Sequence, residues 1–556
     1  MRQQDPGAED PEVILDPKRC CQHRHQTQSD VTTDGDAMLL PLYLVFSAIM
    51  ALPDVTVSNI GAYFSPVYLL LAFALYYIAT SIAAWRRLRA FPGPALARFS
   101  YLWNILNSRT GRPAETFTRL NREHGSLVCI GPNDLVTDDP DMFRRMNGAR
   151  STYNRSSWYN AAKFNPHEEA MFSIRDIRKH DRMKAQVAGA YSGKENDALE
   201  SGIDSQLAGL MELIRRKYIT VGEDVKPMDF GRVAQYFTLD VITEIAYGKA
   251  FGYMATDSDI HEYIKTTEDV VQILQMLGEV PYLCTLFWSK WVLGTVGPKP
   301  TDKSGMGKMM GVARDVVAKR FGPDAKDERD MLGSFVRHGL TQGQAEQEVL
   351  FQITAGSDTT ATAIRTTFLH LLTSPNAYHT LKKEIHTAIA EGRVSSPITA
   401  EEGKQLPYLQ AVIYEGLRMN APFTGQCSKE VPAEGDTIDG RFVPGGTRIA
   451  QNFWGVIRRL DVFGKDADLF RPERWLEADE ATRDNMVRTT ELTFGHGRWG
   501  CSGKNVAFME LNKVYFELLR NFDFQIVNPG RPWHSINHNL WMQHEFWVKV
   551  TESVTG

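Results

Sequence analysis

Two apolar runs near the start of the chain stand out against a polar beginning. Residues 1–37 are polar and acidic, without an apolar period, and we expect a disordered acidic tail there. Residues 38–53 are apolar but short, and Pro41 interrupts them. Residues 66–85 carry no charge over about the 20 residues that a membrane-spanning helix needs. The pattern predicts a membrane-anchor region over residues 38–89, in which 66–85 is the span and 38–53 is a candidate second span or an interfacial segment.

The residues after the second run indicate on which side of the membrane the rest of the chain lies. Trp85 borders the run, and the basic cluster Arg86-Arg87-Leu88-Arg89 follows it. An aromatic border with basic residues beyond it is typical of the cytosolic end of an anchor. A buried core helix is the alternative interpretation. The stretch Phe91-Pro92-Gly93-Pro94 then prevents the helix from continuing, because proline fixes φ, and we expect the globular part at 90–556.

Helical periodicity dominates from about residue 95 onward, and short strand-like pieces separate the helices. Residues 127–136 have the pattern of a small hairpin. Residues 535–550 alternate like a terminal hairpin, whose turn we place near Leu540–Met542. We therefore predict a fold that is mainly α with a smaller β region.

Composition narrows the range of functions. With 43% hydrophobic and 23% charged residues in 556, the chain is an ordinary globular protein and not a disordered one. Its formal net charge of -5 provides no basic field, so we expect no nucleic-acid partner. The six cysteines are scattered, which fits the reducing cytosol better than a disulfide framework.

The most informative stretch is Phe494–Gly503, in which four glycines surround Cys501. Glycine allows close approach of the backbone to a flat ligand and tolerates positive φ. A helix pattern begins directly behind the cysteine, and a helix N-terminus helps to keep a thiolate ionised. The stretch is typical of a metal-ligand loop that leads into a helix.

A second motif lies in the middle of a long predicted helix. The capping-box spacing of Thr341 and Gln344 predicts its start, and the pattern continues to about Leu372. Its centre, Ala355-Gly356-Ser357-Asp358-Thr359-Thr360, is poor helix material, and its hydroxyl groups can bond backbone carbonyls and bend the helix. Asp358 and Thr359 form an acid–alcohol pair that can pass protons.

A third motif consists of charged residues. Glu415 and Arg418 lie three residues apart on a predicted helix face, and Arg474 follows in Pro472-Glu473-Arg474-Trp475. Considered alone, such a pair is an ordinary surface salt bridge that contributes little to stability.

These motifs, in this order, resemble those of the cytochrome P-450 superfamily of haem-thiolate monooxygenases. The family's haem-ligand signature is written Phe-x-x-Gly-x-Arg-x-Cys-x-Gly. The positions that match it are Phe494, Gly497, Cys501 and Gly503. Trp499 stands where the signature has a cation, and Arg498 is displaced by one position. The resemblance covers roughly residues 90–550 and is closest to fungal microsomal members of the pisatin-demethylase type.

The resemblance implies a cytochrome P-450 fold and a role for each motif. Cys501 would supply the axial thiolate to the iron of haem b. Thr359 would hold dioxygen or its water, and Asp358 would relay protons from solvent. The other residues implied to bind the cofactor are Phe494, Gly497, Arg498, His180 and Lys184. The residues implied to form a buried network that holds the haem-binding region are Glu415, Arg418 and Arg474.

The haem-propionate side of this implied site differs most from the family. His180 and Lys184 lie four residues apart on the basic helix predicted at 176–191, where the family places propionate donors. Arg498 would reach a propionate by a different path, or Trp499 would donate its indole N–H instead. For the substrate pocket, the family implies a covering loop at 151–165 and a wall that includes residues 420–426 and the turn near Leu540–Met542.

The implied function is insertion of one oxygen atom from dioxygen into a C–H bond of an apolar small molecule, such as a terpenoid or polyketide of fungal secondary metabolism. Electrons would come from NADPH through the membrane-bound NADPH–cytochrome P-450 reductase, with cytochrome b5 as a second candidate donor. The implied location is the endoplasmic reticulum membrane, with the catalytic domain facing the cytosol.

Two alternatives stay open at this point. One is a haem-thiolate isomerase or dehydratase that does not use external oxygen, and the other is a non-enzymatic membrane haem protein. Members of the first kind commonly lack the acid–alcohol pair, so the intact Asp358-Thr359 favours a monooxygenase.

Overall fold

The computed structural model describes residues 66–553, so the predicted tail 1–37 and the first apolar run 38–53 lie outside the described residues. The chain divides into two units, the first ending at Thr80 and the second beginning at Ser81. The described part of the first unit is helical and belongs to α1 (Pro66–Leu88). Within this helix, Tyr68–Leu88 is long and apolar enough to cross a membrane, and its apolar window is not buried in the protein. The predicted apolar helix is therefore confirmed.

Helices form most of the second unit. They are α2 (Leu102–Ser108), α3 (Pro113–His124), α4 (Pro140–Asn147), α5 (Ile177–Tyr191), α6 (Leu199–Leu213), α7 (Phe230–Tyr247), α8 (Tyr253–Thr256), α9 (Tyr263–Glu279), α10 (Pro281–Phe287), α11 (Lys290–Val296), α12 (Gly305–Ala318), α13 (Met331–Arg337), α14 (Gln342–Leu372), α15 (Pro375–Ala390), α16 (Ala400–Lys404), α17 (Pro407–Met419), α18 (Phe453–Val456), α19 (Leu460–Phe463), α20 (Arg474–Glu477), α21 (Glu480–Thr490) and α22 (Lys504–Asn521).

The strands are short. They are β1 (Leu127–Gly131), β2 (Asp134–Thr137), β3 (Asn154–Arg155), β4 (Met228–Asp229), β5 (Lys429–Glu430), β6 (Asp436–Ile438), β7 (Arg441–Val443), β8 (Arg448–Gln451), β9 (Phe522–Ile526), β10 (His534–His538), β11 (Leu540–His544) and β12 (Trp547–Glu552). Within residues 66–553 they form a sheet of order β1-β2-β8-β5-β3, a sheet of order β4-β12-β9, and the pairs β10-β11 and β6-β7. The predicted class, mainly α with a smaller β region, is confirmed.

The long helix α14 runs through the largest hydrophobic core, where it packs against α7, α12, α17 and α22. It begins as predicted, because the Thr341 hydroxyl accepts from the Gln344 N–H and the Gln344 side chain accepts from the Thr341 N–H. Nineteen of its side chains are buried, so tertiary packing and not local propensity stabilises its Gly- and Thr-containing centre.

The two hairpin predictions have different outcomes. The hairpin at 127–136 is confirmed, since β1 and β2 pair antiparallel. The terminal hairpin is present as β10 and β11, but its turn is at Asn539, whose φ is 64°, directly before the predicted Leu540–Met542, which belongs to β11. Asparagine tolerates this left-handed conformation better than leucine or tryptophan does. The last strand, β12, belongs to another sheet and pairs with β9 and β4.

The segment expected as a loop at 151–165 contains regular structure. The two-residue strand β3 lies within it, and a 3₁₀ helix follows at Ser157–Ala162, in which Trp158 and Tyr159 are buried. Because 3₁₀ helices are short, they produce no extended apolar period that a sequence pattern could show.

Candidate active site

An internal cavity of about 420 Å³ lies between α14 and the loop that precedes α22. Cys501 and Thr359 both reach its wall, and most of the remaining wall is apolar. Its large apolar side chains include Trp158, Phe172, Phe351, Phe423, Phe453 and Leu540. The structure thus brings the three segments that the sequence assigned to the substrate pocket, 151–165, 420–426 and 540–542, to one cavity.

The loop before Cys501 has a fixed shape. Gly495 and Gly497 adopt φ of 74° and 55°, in the left-handed region that favours glycine. A Cβ on Gly497 would lie 2.6 Å from the Asn147 carbonyl oxygen, so a larger residue would push the loop away from α4. The Cys501 N–H donates to the Phe494 carbonyl over 2.7 Å and closes the loop. The cysteine is therefore held at one point of the cavity wall.

Several groups act on the Cys501 thiol. The Cys501 side chain is exposed to the cavity, but its depth inside the protein raises the pKa of the thiol, and the peptide N–H groups of Gly503 and Lys504, together with the Lys184 ammonium, act in the opposite direction. Gly503 and Lys504 lie at the N-terminus of α22, as the sequence predicted. These donors would stabilise negative charge on the sulfur when it binds a cation.

The centre of α14 meets the cavity through small residues. Ala355, Gly356 and Thr359 line the wall, and the Thr359 hydroxyl donates to the Ala355 carbonyl over 2.8 Å. The Ser357 hydroxyl donates to the Ile353 carbonyl in the same way, over 2.6 Å. A Cβ on Gly356 would lie 2.8 Å from the Ile242 side chain, so this glycine also permits the close packing of α7 on α14.

The three charged residues predicted to form a network are together and buried. Arg418 donates to both oxygens of Glu415 at 2.8 Å, and Arg474 Nε donates to Oε1 at 3.1 Å. The Arg471 N–H and the Trp475 indole also donate to this carboxylate, at 2.7 Å and 3.0 Å. Five donors thus surround one carboxylate whose side chain is 0% exposed.

Comparison with known proteins agrees with this geometry. The Cytochrome P450 family profile matches residues 92–549. The chain belongs to the cytochrome P-450 family. It is 52% identical to the Cytochrome P450 monooxygenase ABA1 of Pyricularia oryzae over 495 residues, which cover 87% of this chain and 96% of that protein. It is 44% identical to the Cytochrome P450 monooxygenase aba1 of Botryotinia fuckeliana over 471 residues, which cover 84% of this chain and 92% of that protein.

More distant relatives include a pisatin demethylase of Fusarium vanettenii, which is 32% identical over 457 residues that cover 80% of this chain and 85% of that protein. The relationship to pisatin-demethylase-type members that the sequence indicated is confirmed. The chain is therefore a P-450 monooxygenase, and its family implies a haem with a thiolate-bound iron and a small-molecule substrate.

The residues at the cavity fit a haem. Cys501 offers a thiol, and the neighbouring wall is apolar. Arg155 and Trp499 also line the cavity, and Arg155 Nε and Trp499 Nε1 are buried without a hydrogen-bond partner among residues 66–553. Buried donors without partners are costly, and the carboxylates of a haem would satisfy them.

The cofactor-binding residues predicted from the sequence separate into two groups. Phe494 and His180 line the cavity, and the His180 ring lies 4.2 Å from the Trp499 ring. Gly497 fixes the loop, and Lys184 Nζ donates to the carbonyls of Arg498 and Gly500 at 2.7 Å and 3.2 Å. These two residues therefore act on the loop and are not part of the cavity wall.

Arg498 also lies away from the cavity wall. Its Nε pairs with Asp181 at 3.1 Å, whereas its neighbour Trp499 lines the cavity. Two further residues, Arg155 and Lys429, pack against Trp499 and were not predicted from the sequence. In the sequence, Arg155 is the middle residue of Asn154-Arg155-Ser156, which has only the pattern of a glycosylation site, and Lys429 belongs to no recognisable motif.

Asp358 does not share the cavity with Thr359. Its carboxylate accepts from Gln235 Nε2 at 2.5 Å and from the Tyr263 hydroxyl, and its side chain is 2% exposed. Gln235 in turn accepts from Arg365 at 2.8 Å. Successive helix residues point about 100° apart, so the acid faces α7 and α9 while the alcohol faces the cavity.

We predict that an Asp358→Asn variant gains stability relative to the wild type as the pH rises. Burial raises the pKa of Asp358 from 3.8 to about 6. Because the pKa is higher in the folded state, ionisation above it disfavours folding, and the penalty grows until about pH 6. Asparagine removes the charge and still offers an acceptor to Gln235 and a donor to Tyr263. The expected gain above pH 7 is about 1–3 kcal/mol, measured by thermal unfolding followed by circular dichroism.

The control for this prediction is Asp269→Asn, which changes an exposed aspartate on the neighbouring helix α9. Its effect on the unfolding midpoint should be the same at about pH 5 and about pH 8. If the stability difference between Asp358→Asn and wild type is also constant over this pH range, ionisation of the buried Asp358 carboxylate does not destabilise the folded protein.

Proposed function

We propose that this protein is a haem-thiolate monooxygenase that inserts one oxygen atom of dioxygen into a C–H bond of an apolar small molecule. The supporting observation is that Cys501, on a glycine-shaped loop at a helix N-terminus, and Thr359, on α14, line the same largely apolar cavity. In this proposal Cys501 would hold the iron of haem b through its sulfur. When bound, the haem supplies the iron at which dioxygen is activated.

The loop residues support the sulfur in this role. The N–H groups of Gly503 and Lys504 and the ammonium of Lys184 stabilise negative charge at Sγ without coordinating the iron themselves. Lys184 does so while it holds the carbonyls of Arg498 and Gly500, so one side chain fixes the loop and contributes charge. The buried network around Glu415 holds the segment that contains Arg474 and Trp475 in place before this loop.

Thr359 places a hydroxyl that can relay a proton at the cavity wall. Its Oγ1 donates its single hydrogen to the Ala355 carbonyl, so a relay requires that this bond is released, and it can accept a hydrogen bond from a water in the cavity. Asp358 remains our candidate for the source of that proton. For this role its carboxyl must leave Gln235 and Tyr263, which makes proton delivery dependent on a side-chain rotation on the far side of the helix.

We predict that a Thr359→Ala variant still consumes NADPH but releases hydrogen peroxide in place of most of the product. Without the hydroxyl, reduced oxygen is not protonated productively and leaves as hydrogen peroxide. Product formed per NADPH is expected to fall about tenfold or more, because positioned proton donors accelerate such steps at least that much. Peroxide and product are measured in the same reaction. Thr359→Ser keeps the hydroxyl and is the matched control, and unchanged coupling in Thr359→Ala would remove Thr359 from this role.

The apolar wall supports an apolar substrate. Ten aromatic side chains line the cavity, and the candidate anchor helix would attach the chain to a membrane into which such a molecule partitions. We propose a terpenoid or polyketide of fungal secondary metabolism, in line with the fungal origin of its relatives. The presence of Thr359 at the wall favours this oxygen-using reaction over a haem-thiolate isomerase or dehydratase.

We further propose that electrons reach the protein from NADPH through NADPH–cytochrome P-450 reductase, with cytochrome b5 as a second donor. The proposed location is the endoplasmic reticulum membrane, with the domain beginning near residue 90 in the cytosol. The supporting features are the apolar helix Tyr68–Leu88 and the basic residues Arg86 and Arg87 in its last turn.

The test uses the full chain in membranes. The carbon-monoxide difference spectrum of the reduced protein should contain the band specific to a thiolate-ligated haem. With reductase, NADPH, isotopically labelled dioxygen and an extract of its source organism, one metabolite should be consumed and its product should carry the label. A missing thiolate band would overturn the haem-thiolate assignment, and a product formed without label would favour isomerisation or dehydration.

A further inference from the structure

Two buried cations pack against the tryptophan that stands two residues before Cys501. Arg155 Cζ lies 4.1 Å and Lys429 Nζ lies 4.0 Å from the Trp499 ring centre. Both side chains are almost fully buried, with residue exposures of 4% and 0%. They come from paired strands, since Arg155 of β3 is the register partner of Lys429 of β5. The β sheet thus brings two positive charges to one side of the Cys501 loop.

These cations have few partners among residues 66–553. Arg155 Nη1 donates to the carbonyls of Met171 and Ile174 at 2.9 Å and 2.7 Å, but Arg155 Nε has no hydrogen-bond partner. Lys429 Nζ and Trp499 Nε1 have none either. Within the described residues, neither Arg155 nor Lys429 forms an ion pair with a carboxylate.

Asp181 and Glu430, two acids near these cations, are already paired, and Glu430 binds Arg175 at 3.2 Å. Asp181 accepts from Arg498 Nε at 3.1 Å and lies 3.1 Å from His180 Nδ1. Lys184 is satisfied by backbone carbonyls of the Cys501 loop. His180 offers no further charge, because burial and the charge of Arg155 lower its pKa to about 4. The positive charge around Trp499 is therefore not balanced by the described side chains.

An ammonium buried without a counter-ion is strongly unfavourable, and contact with an aromatic ring offsets only part of this cost. Burial and the proximity of Arg155 accordingly lower the pKa of Lys429 well below its ordinary value. A bound anion would relieve both costs. Because Trp499 and Arg155 line the cavity, the anion that fits is one carried by a molecule inside it.

We propose that Lys429 and Arg155 bind the carboxylates of the haem, and that Trp499 Nε1 provides an additional donor. The P-450 signature has a cation where this chain has Trp499. In this chain, Lys429 of β5 supplies that positive charge instead. The proposal rests on the haem-thiolate function proposed above. It explains how tryptophan can stand at position 499: its flat ring packs against both cations, and its unpartnered N–H can donate to the group that they bind.

The same chemistry could come from an acidic substrate, because a substrate carboxylate would also pair with Lys429. The two sources differ in what a Lys429 variant changes. If Lys429 binds the haem, the variant loses haem faster whether or not substrate is present. If it binds a substrate, haem loss is unaffected. We favour the haem because Trp499, which both cations touch, is two residues from Cys501.

The experiment measures haem loss from the purified holoprotein to excess apomyoglobin, followed by the Soret absorbance. Lys429→Met keeps the length of the side chain and removes the charge. It is expected to lose haem about tenfold faster than wild type or more, since a charged hydrogen bond contributes about 1.5–3 kcal/mol and 1.4 kcal/mol corresponds to a factor of ten. Lys429→Arg restores the charge and should lose haem within about threefold of the wild-type rate.

The matched control is Lys382→Met. Lys382 is also a buried lysine, but it donates to the Phe522 carbonyl and to Ser553 and pairs with Asp523 at 2.7 Å, and none of these partners lines the cavity, whereas Lys429 packs against Trp499, which does. Its replacement lowers stability without changing the rate of haem loss from the folded protein. Equal rates for Lys429→Met and wild type would overturn the proposal, as would equal acceleration by Lys382→Met.

A second measurement identifies the haem carboxylates directly. After exchange of the resident haem for its dimethyl ester, wild type should lose the ester about as fast as Lys429→Met loses either cofactor. For each protein, the rate of ester loss is divided by the rate of haem loss. If this ratio is the same in Lys429→Met and in wild type, Lys429 does not act on the carboxylates. A wild-type protein that holds haem but shows no thiolate band would overturn the proposed function and leave the haem-loss comparison valid.

Discussion

A Cys501→Ser variant is expected to lose the thiolate-specific carbon-monoxide band completely, together with all product formation. Serine has almost the same size, so the loop can keep its shape, with the residue's N–H still bonded to the Phe494 carbonyl. Its hydroxyl, however, remains protonated where a thiol ionises, and it does not donate electron density to iron as sulfur does. The variant should therefore still fold, and the spectrum of the reduced protein with carbon monoxide is the measurement.

The structure makes this prediction sharper than the sequence could, because a second cysteine lines the same cavity. Cys427 has a φ of 41° and is buried next to Lys429, and burial raises the pKa of its thiol to about 11. It lies at no helix N-terminus, whereas Cys501 faces the N–H groups of Gly503 and Lys504. The helix N-terminal N–H groups that can stabilise a thiolate are therefore found at Cys501 and not at Cys427.

Cys427→Ser is therefore the matched control for Cys501→Ser. It changes the same atom in the same cavity and should keep the thiolate band. Loss of the band in Cys427→Ser with retention in Cys501→Ser would exchange the two assignments. Retention of the band in both single variants would show that neither cysteine ligates the iron alone.

The parts of the site that the sequence predicted correctly are those that depend on neighbouring residues. The capping box at Thr341 and the helix behind Cys501 follow from short-range hydrogen bonding and periodicity, and both are present. The orientation of Asp358 is also a local property, because adjacent helix residues cannot face the same surface. The sequence-based prediction placed Asp358 and Thr359 in one site as an acid–alcohol pair, although helix geometry directs their side chains to different surfaces.

The parts that the sequence did not show depend on contacts between distant segments. Arg155 and Lys429 meet only because β3 pairs with β5, and neither strand is longer than two residues. Strands this short carry no alternating pattern. The separation of Arg498 from the cavity likewise depends on Asp181 of another helix, α5. In contrast, the network around Glu415 spans three segments, and only its resemblance to a known family made it predictable.

The second large effect is expected at this network. A Glu415→Gln variant should lower the free energy of unfolding by about 3–5 kcal/mol, because it leaves buried arginines without their counter-ion. Glutamine offers one acceptor oxygen, and its NH₂ group would face donors from Arg418 and Trp475. Since a whole domain is stable by only about 5–15 kcal/mol, much of the variant should fail to retain haem during purification.

The pH dependence of wild type provides an independent measurement of the same interaction. Burial alone would raise the pKa of Glu415, but the hydrogen bonds and charges of Arg418 and Arg474 bring it below its ordinary 4.5. A carboxylate whose pKa is lowered by folding stabilises the protein fully above the unfolded value and loses this contribution as the pH falls further. Wild type should therefore lose stability below about pH 4.5, and Glu415→Gln should lose less over the same range.

Glu401→Gln is the matched control, because it removes an acid from an exposed i,i+3 pair with Lys404 on α16. Solvent screens that pair, so its loss should change the free energy of unfolding by less than about 1 kcal/mol. Urea unfolding of the full chain in detergent, followed by tryptophan fluorescence, compares the three proteins. If Glu415→Gln unfolds at the same urea concentration as Glu401→Gln, the buried arginines find other partners and the carboxylate does not hold the haem-binding region together. If it unfolds far earlier, the stability of this region depends on a single side chain that five donors share.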